Sequence, residues 1–222
     1  IFLTSSFCYD DAEQIRAVFA DDIEANIYSR FVNPNSKELE EKMAILEGTE
    51  AAFAVASGMA AMSATFLGLL QQGDKILACD AIFGSTHTLL TKYLPKFGID
   101  HNYIPVSASA EEWENAIDER VKMIFLESPT NPGLDIIDLE MVGKIAEKHK
   151  IIFVVDNCFA TPLIQQPKDF GADIIIHSGT KWIDGQGRVL GGIVCGTKEL
   201  IKEVYAFSRS SGPSISPFNA WL

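Results

Sequence analysis

The sequence predicts an α/β fold in which a mainly parallel, seven-stranded sheet carries helices on both faces. Three observations support this. Short runs of apolar, mostly β-branched residues, such as Ile151-Ile152-Phe153-Val154-Val155 and Ile174-Ile175-Ile176, are too brief for helices and too uniformly apolar for strands with a solvent face. Helical patterns alternate with these runs, the order that builds a parallel sheet. Two of the runs lead into polar, reactive residues, Asp156 and Lys181, and doubly wound sheets gather ligand groups at the carboxyl ends of strands.

Residues 1–35 contain the turn formers Asn33-Pro34-Asn35 and no lasting period, so an irregular arm lying on another subunit or domain is expected. Ser36 reads as the N-cap of a helix carrying Leu39, Met43 and Leu46, which Gly48 ends. A strand over 51–56 and a helix of small and apolar residues over 58–70 follow. Next come strand 75–79, helix 85–97, strand 99–106, helix 109–118 and strand 121–127. Helix 139–149, strands 151–155, 174–177 and 189–195, and a last helix capped by Thr197 complete the order. The expected division is an arm over 1–35 and an α/β domain over 36–222.

Composition bounds the function. A chain of 222 residues can bury one large core, or one domain with a fragment of a second. Hydrophobic residues at 47% and charged residues at 22% are an ordinary globular balance. The net charge of −12 argues against nucleic-acid binding, which needs clustered Lys and Arg. No apolar run approaches the ~20 residues of a membrane span, so no membrane partner is expected. Cys8, Cys79, Cys158 and Cys195 are far apart with no C-x-x-C pair, and read as reduced thiols in a cytoplasmic protein. The four histidines do not cluster with acids or cysteines, so no metal site is expected. The chain starts at Ile1 without a Met and stops at Leu222 inside an apolar pattern, which reads as a fragment.

Lys181 follows Ser178-Gly179-Thr180 at a strand end, where an amine can form a Schiff base with a carbonyl cofactor. Imine formation needs a neutral amine, and partial burial is the expected means of producing one. A strand-end lysine taken alone is ordinarily a surface residue. Asp156 ends another apolar strand, where an unpaired carboxylate is costly and a pyridinium N–H is a suitable partner; the rival reading is a helix cap or turn. Ser57-Gly58-Met59 lies where a strand turns into a helix, so its backbone N–H groups can hold a phosphate, although such turns often serve packing alone. The hydroxyls of Ser178 and Thr180 would add donors from the other side.

The chain resembles the pyridoxal-phosphate enzymes of cysteine and methionine metabolism from end to end. The resemblance rests on Tyr28-Ser29-Arg30, Ser57-Gly58-Met59, Phe83-Gly84-Ser85-Thr86, Pro129-Thr130-Asn131-Pro132, Asp156-Asn157-Cys158-Phe159-Ala160-Thr161-Pro162, Ser178-Gly179-Thr180-Lys181 and Ser216-Pro217-Phe218-Asn219-Ala220-Trp221, in the family's order. It implies the large domain of an aspartate-aminotransferase-like fold, with the C-terminal small domain absent. The implied cofactor is pyridoxal 5′-phosphate, attached to Lys181. Asp156 is implied at the ring nitrogen, Asn131 near the ring hydroxyl, and Ser57, Gly58, Met59, Ser178 and Thr180 around the phosphate. Glu127 would support the Asn131 loop. Tyr28 and Arg30 are implied to reach the phosphate of a neighbouring subunit, so a homodimer or dimer of dimers with shared sites is expected.

Phe83 departs from the family's usual tyrosine, which keeps ring stacking but removes a hydroxyl. Ser85 stands where the methionine-degrading lyases have cysteine. The run Lys181-Trp182-Ile183-Asp184-Gly185-Gln186-Gly187-Arg188-Val189-Leu190-Gly191-Gly192 is similar to the branch that joins sulfide to O-succinylhomoserine, giving homocysteine and succinate. The amino-acid substrate is therefore expected to be an acylated homoserine. Cystathionine γ-synthase, O-acetylhomoserine sulfhydrylase and γ-lyase activities stay open within the family. Outside catalysis, the open readings are an inactive cofactor-binding remnant and a cofactor-free assembly module. A nucleotide-binding domain is a poor fit, since no Walker A or dinucleotide glycine fingerprint is present.

Overall fold

A computed structural model describes residues 1–20, 22–23 and 25–222. Its sheet has seven strands: β1 (Ala51–Val55), β2 (Lys75–Cys79), β3 (Asp100–Ile104), β4 (Val121–Glu127), β5 (Ile152–Asp156), β6 (Ile174–Ser178) and β7 (Gly192–Gly196). They lie in the order β1-β7-β6-β5-β4-β2-β3. All pairings are parallel except those of β7, which is antiparallel to both β1 and β6. The expected α/β architecture is therefore present. Strands β2 and β7 are buried along their whole length. Edge strand β3 instead exposes alternate polar residues, Asp100 and Asn102, which suits a strand with one unpaired side.

The helices are α1 (Ala12–Phe19), α2 (Pro34–Glu47), α3 (Gly58–Leu69), α4 (Gly84–Thr88), α5 (Ala110–Asn115), α6 (Leu139–His149), α7 (Thr161–Ile164), α8 (Lys198–Ser211) and α9 (Pro217–Trp221). Alternation along β1 distributes them over the two sheet faces. Phe53 meets Tyr205 of α8 edge-to-face, with ring centroids 5.3 Å apart, while Ala54 packs with Leu39 of α2, Ile215 and Ala220 of α9. Helices α3 and α8 thus share one face, and α2 and α9 the other.

Four local expectations need correction. The arm is not wholly irregular, because Asp11 caps α1 by accepting from the Gln14 N–H, and Val18 is buried. The cap of α2 is Asn33 rather than Ser36. Pro34 occupies the first turn, where a missing N–H costs nothing, and Ser36 becomes the third residue of a reciprocal capping box. Gly48 does end this helix, in the left-handed region at φ 66°. The expected helix over 85–97 is α-helical only to Thr88, then passes into a π turn (Leu89–Tyr93) and a 3-10 turn (Leu94–Phe97). Pro95 has no N–H to continue an α-helical ladder. The last strand begins at Gly192, not 189, because residues 184–188 close a turn in which Asp184 accepts from the Arg188 backbone N–H at 2.7 Å.

Candidate active site

The carboxyl ends of β4, β5 and β6 and the amino end of α3 enclose a cavity of about 270 Å³. Ser57, Gly58, Met59, Phe83, Asn131, Asp156, Ser178, Thr180 and Lys181 all line it. Sequence reasoning nominated each of them, from segments spread over 125 positions of the chain.

The α3 end of the cavity is built by Ser57. Its extended backbone (φ −164°) stops the helix from starting earlier, and its Oγ accepts from the Ala60 N–H at 3.1 Å. Such a cap stabilises a helix by ~1 kcal/mol. The Ala61 N–H goes to the Ser57 carbonyl at 3.0 Å. The N–H groups of Gly58 and Met59 have no protein acceptor among the described residues, so the helix presents two free donors and its positive dipole end there. Close packing brings the opposite wall to meet them: a Cβ on Gly58 would lie 2.8 Å from the Ser178 Cβ, and one on Gly192 would lie 2.0 Å from the Ser57 carbonyl oxygen. Both glycines are required by close approach.

Asp156 and Glu127 face each other across the β4–β5 pair as register partners, and both line the cavity. Burial pushes the Asp156 carboxyl up to about 6, against the Cys158 N–H that Oδ1 accepts at 3.0 Å and the nearby His177. Burial, with Asp156 beside it, pushes Glu127 up to about 8. The Glu127 Oε2 accepts the Phe83 N–H at 2.8 Å, so this acid holds the Phe83 segment and not the Asn131 loop that the sequence reading assigned to it. The Asn131 loop closes on itself, with Thr130 Oγ1 donating to Asp135 Oδ2 at 3.1 Å and accepting the Asp135 N–H at 3.0 Å.

Lys181 stands at the cavity mouth in a π turn (Gly179–Ile183), its backbone non-helical at φ −95° and ψ −117°. The side chain is exposed, a correction to the expected partial burial. The turn carries it past the last residue of β6, where no further strand covers it. Among the described residues it takes part in no ion pair. The Thr180 hydroxyl is engaged with Gly191, donating to its carbonyl at 3.4 Å.

Tyr28 and Arg30 do not reach this cavity. Arg30 donates to the Arg209 carbonyl of α8 and lies over the Phe31 ring, 4.6 Å from its centroid, while Tyr28 is exposed. Part of the arm therefore packs on its own chain. Cys158, Thr86, Met62, Phe159, Ile176 and Leu190 also line the cavity, and no chemical pattern singled them out beforehand. Cys158 and Phe159 lie in the Asp156–Pro162 motif and Thr86 in the Phe83–Thr86 motif, which gave them no role. His177 is fully buried.

The model of the family described as Cys/Met metabolism PLP-dependent enzyme matches residues 1–222. This chain belongs to that family. Its pyridoxal-phosphate-dependent enzymes include an O-succinylhomoserine sulfhydrylase of Pseudomonas aeruginosa, 46% identical over 222 residues, covering 100% of this chain and 55% of the relative. An L-methionine gamma-lyase of Porphyromonas gingivalis is 40% identical over 225 residues, covering 100% of this chain and 56% of that one. A Campylobacter jejuni crystal structure containing N′-pyridoxyl-lysine-5′-monophosphate superposes with a TM-score of 0.91 at 33% identity, over 100% of this chain and 63% of its own. The chain spans about half the length of the curated relatives it matches. Among the described residues no helix is long and apolar enough to cross a membrane, and no cluster of His, Cys, Asp and Glu could hold a metal ion.

Proposed function

We propose that the cavity binds pyridoxal phosphate and that the protein catalyses a γ-replacement on an acylated homoserine, with O-succinylhomoserine and sulfide giving homocysteine and succinate. One observation carries the cofactor assignment: a lysine and two helix N–H donors, all without a partner among the described residues, line one cavity with a half-buried carboxyl. These groups fit a phosphorylated pyridine aldehyde in charge and type. Gly58 and Met59 N–H, with the Ser57 and Ser178 hydroxyls, would hold the phosphate. Asp156 would hold the ring nitrogen, Asn131 the ring hydroxyl, and Phe83 would cover a ring face. Lys181 would attach covalently. Tyr28 and Arg30, outside their own chain's cavity, would serve a neighbouring copy from the arm over 1–35, with residues 36–222 as the cofactor-binding domain.

When bound, pyridoxal phosphate supplies an electron sink for a carbanion at the substrate Cα. The protein's part is to place charge and move protons. Asp156 would keep a proton on the ring nitrogen by offering an anion at the end of β5. Lys181 would take the substrate Cα proton and return it. The α3 N-terminus would hold the phosphate and so keep the bound group beside Lys181.

The choice of reaction rests on Phe83 and Ser85 and on the likeness to O-succinylhomoserine sulfhydrylases. The second reading is a γ-lyase, favoured by the likeness to L-methionine gamma-lyases. Supplying O-succinylhomoserine or O-acetylhomoserine with sulfide or cysteine, and methionine alone, separates the readings by product. Homocysteine from O-succinylhomoserine and sulfide is expected; methanethiol and 2-oxobutanoate from methionine as the dominant reaction would overturn the assignment.

A further inference from the structure

We propose that Glu127 and Asp156 carry one negative charge between them, with Glu127 held as a neutral carboxylic acid that positions Phe83 at the cavity. The proposal rests on the pyridoxal-phosphate reading of this cavity and adds a positioning residue to it.

The geometry comes from the sheet. Glu127 and Asp156 are register partners at the carboxyl ends of β4 and β5. Adjacent strands run ~4.8 Å apart, and partners in register project from the same face. Glu127 is only 4% exposed. A buried carboxylate needs a cation or several donors, and Glu127 has neither among the described residues. Among the described residues its single hydrogen bond is the one from the Phe83 N–H at 2.8 Å.

The groups around the pair decide which acid ionises. Asp156 on β5 faces Glu127, with the Cys158 thiol just beyond it, and Lys181 lines the same cavity without an ion pair to either acid among the described residues. His177, on the opposite face of β6, favours the ionised form of Asp156. Each acid accepts one backbone N–H, so what separates them is His177 on the Asp156 side and the repulsion of Asp156 on the Glu127 side. The charge therefore settles on Asp156. The proton on Glu127 sits on Oε1, because Oε2 already accepts from Phe83. A neutral acid at this position fixes the Phe83 backbone without placing a second anion beside a single ring cation.

The decisive experiment is a carboxyl titration of purified protein free of pyridoxal phosphate, so that it is read independently of cofactor uptake. Glutamate carboxyls labelled with carbon-13 are followed by NMR, and the resonance missing from Glu127→Gln is Glu127. A midpoint near 8 is expected, falling in Asp156→Asn, where the neighbouring charge is gone. A midpoint near the ordinary ~4.3, or one that Asp156→Asn does not move, overturns the proposal. Should Glu127→Gln fail to fold, the alkaline resonance that shifts in Asp156→Asn supplies the assignment, and the absence of any such resonance refutes it. A second readout is cofactor affinity: Glu127→Gln keeps an acceptor for Phe83 and should bind pyridoxal phosphate about tenfold more tightly than Glu127→Ala. Equal weakening in both variants would refute a positioning role.

Discussion

His177 Nε2 is hydrogen-bonded to Glu47 Oε1, with both side chains fully buried on the sheet face opposite the cavity. The same Glu47 oxygen accepts from Asn157 Nδ2 at 2.9 Å. Gln165 Nε2 in turn donates to Asn157 Oδ1 at 2.9 Å and to the Ser128 carbonyl at 2.8 Å. Ser128, Asn157 and His177 are the chain neighbours of Glu127, Asp156 and Ser178. One buried polar network therefore ties together, from behind, the three strand ends whose next side chains face the cavity.

Removing Glu47 leaves the His177 ring and the Asn157 amide without their acceptor. Glu47→Ala is expected to cost about 1–3 kcal/mol of stability, the range for leaving a buried polar group without its hydrogen-bond partner. Glu47→Gln, which keeps an acceptor for Asn157, should cost less. Urea unfolding measures both; a loss below about 1 kcal/mol in Glu47→Ala would mean that the network does not hold the strand ends.

Gly58→Ala places a methyl 2.8 Å from the Ser178 Cβ and 3.1 Å from its Cα, so one wall of the cavity must move. Overpacking of this kind costs about 1–3 kcal/mol. It also shifts the free Gly58 and Met59 donors, so weaker uptake of pyridoxal phosphate is expected in equilibrium dialysis. Gly84→Ala is the control, since a Cβ there meets nothing within 4 Å. Equal uptake by wild type and Gly58→Ala would remove the α3 terminus from the phosphate site.

Stability of the cofactor-free protein should fall as pH rises through the neutral range. Burial raises Glu127 to about 8, Glu40 to about 7 and Asp156 to about 6 in the folded chain. Between their unfolded and folded values, the folded state holds protons that the unfolded chain releases. The slope of stability against pH is negative there, and the contribution present below about pH 4 is lost by about pH 8. The carboxyls lowered by hydrogen bonds, such as Asp118 and Asp184, act only at more acidic pH. Thermal melts at about pH 5, 6, 7 and 8 should show a falling Tm, flattened over the middle of that range by Glu40→Gln. A rising or level Tm would contradict the burial of these acids.

Much of this arrangement was legible in the sequence because buried parallel strands write themselves as apolar runs. The positions of Asp156 and Lys181 at the ends of such runs placed them at one edge of the sheet. The reversed direction of β7 was not legible, since an apolar run carries no direction. Nor was the pairing of Glu127 with Asp156, because it depends on β4 lying beside β5 in register, a tertiary fact. The network of Glu47, Asn157 and His177 was hidden for the same reason: its members are 110 and 130 positions apart along the chain. The α2 cap was misread because Asn33 and Ser36 are both capping residues three apart, and only Pro34 tells which of them lies outside the helix.

The covalent role of Lys181 is tested most directly by incubating the protein with pyridoxal phosphate, reducing with borohydride and mapping the peptides by mass. A phosphopyridoxyl adduct on the peptide containing Lys181 is predicted, together with its loss in Lys181→Ala. Labelling confined to other lysines, or equal labelling of the Lys181→Ala variant, would contradict the account.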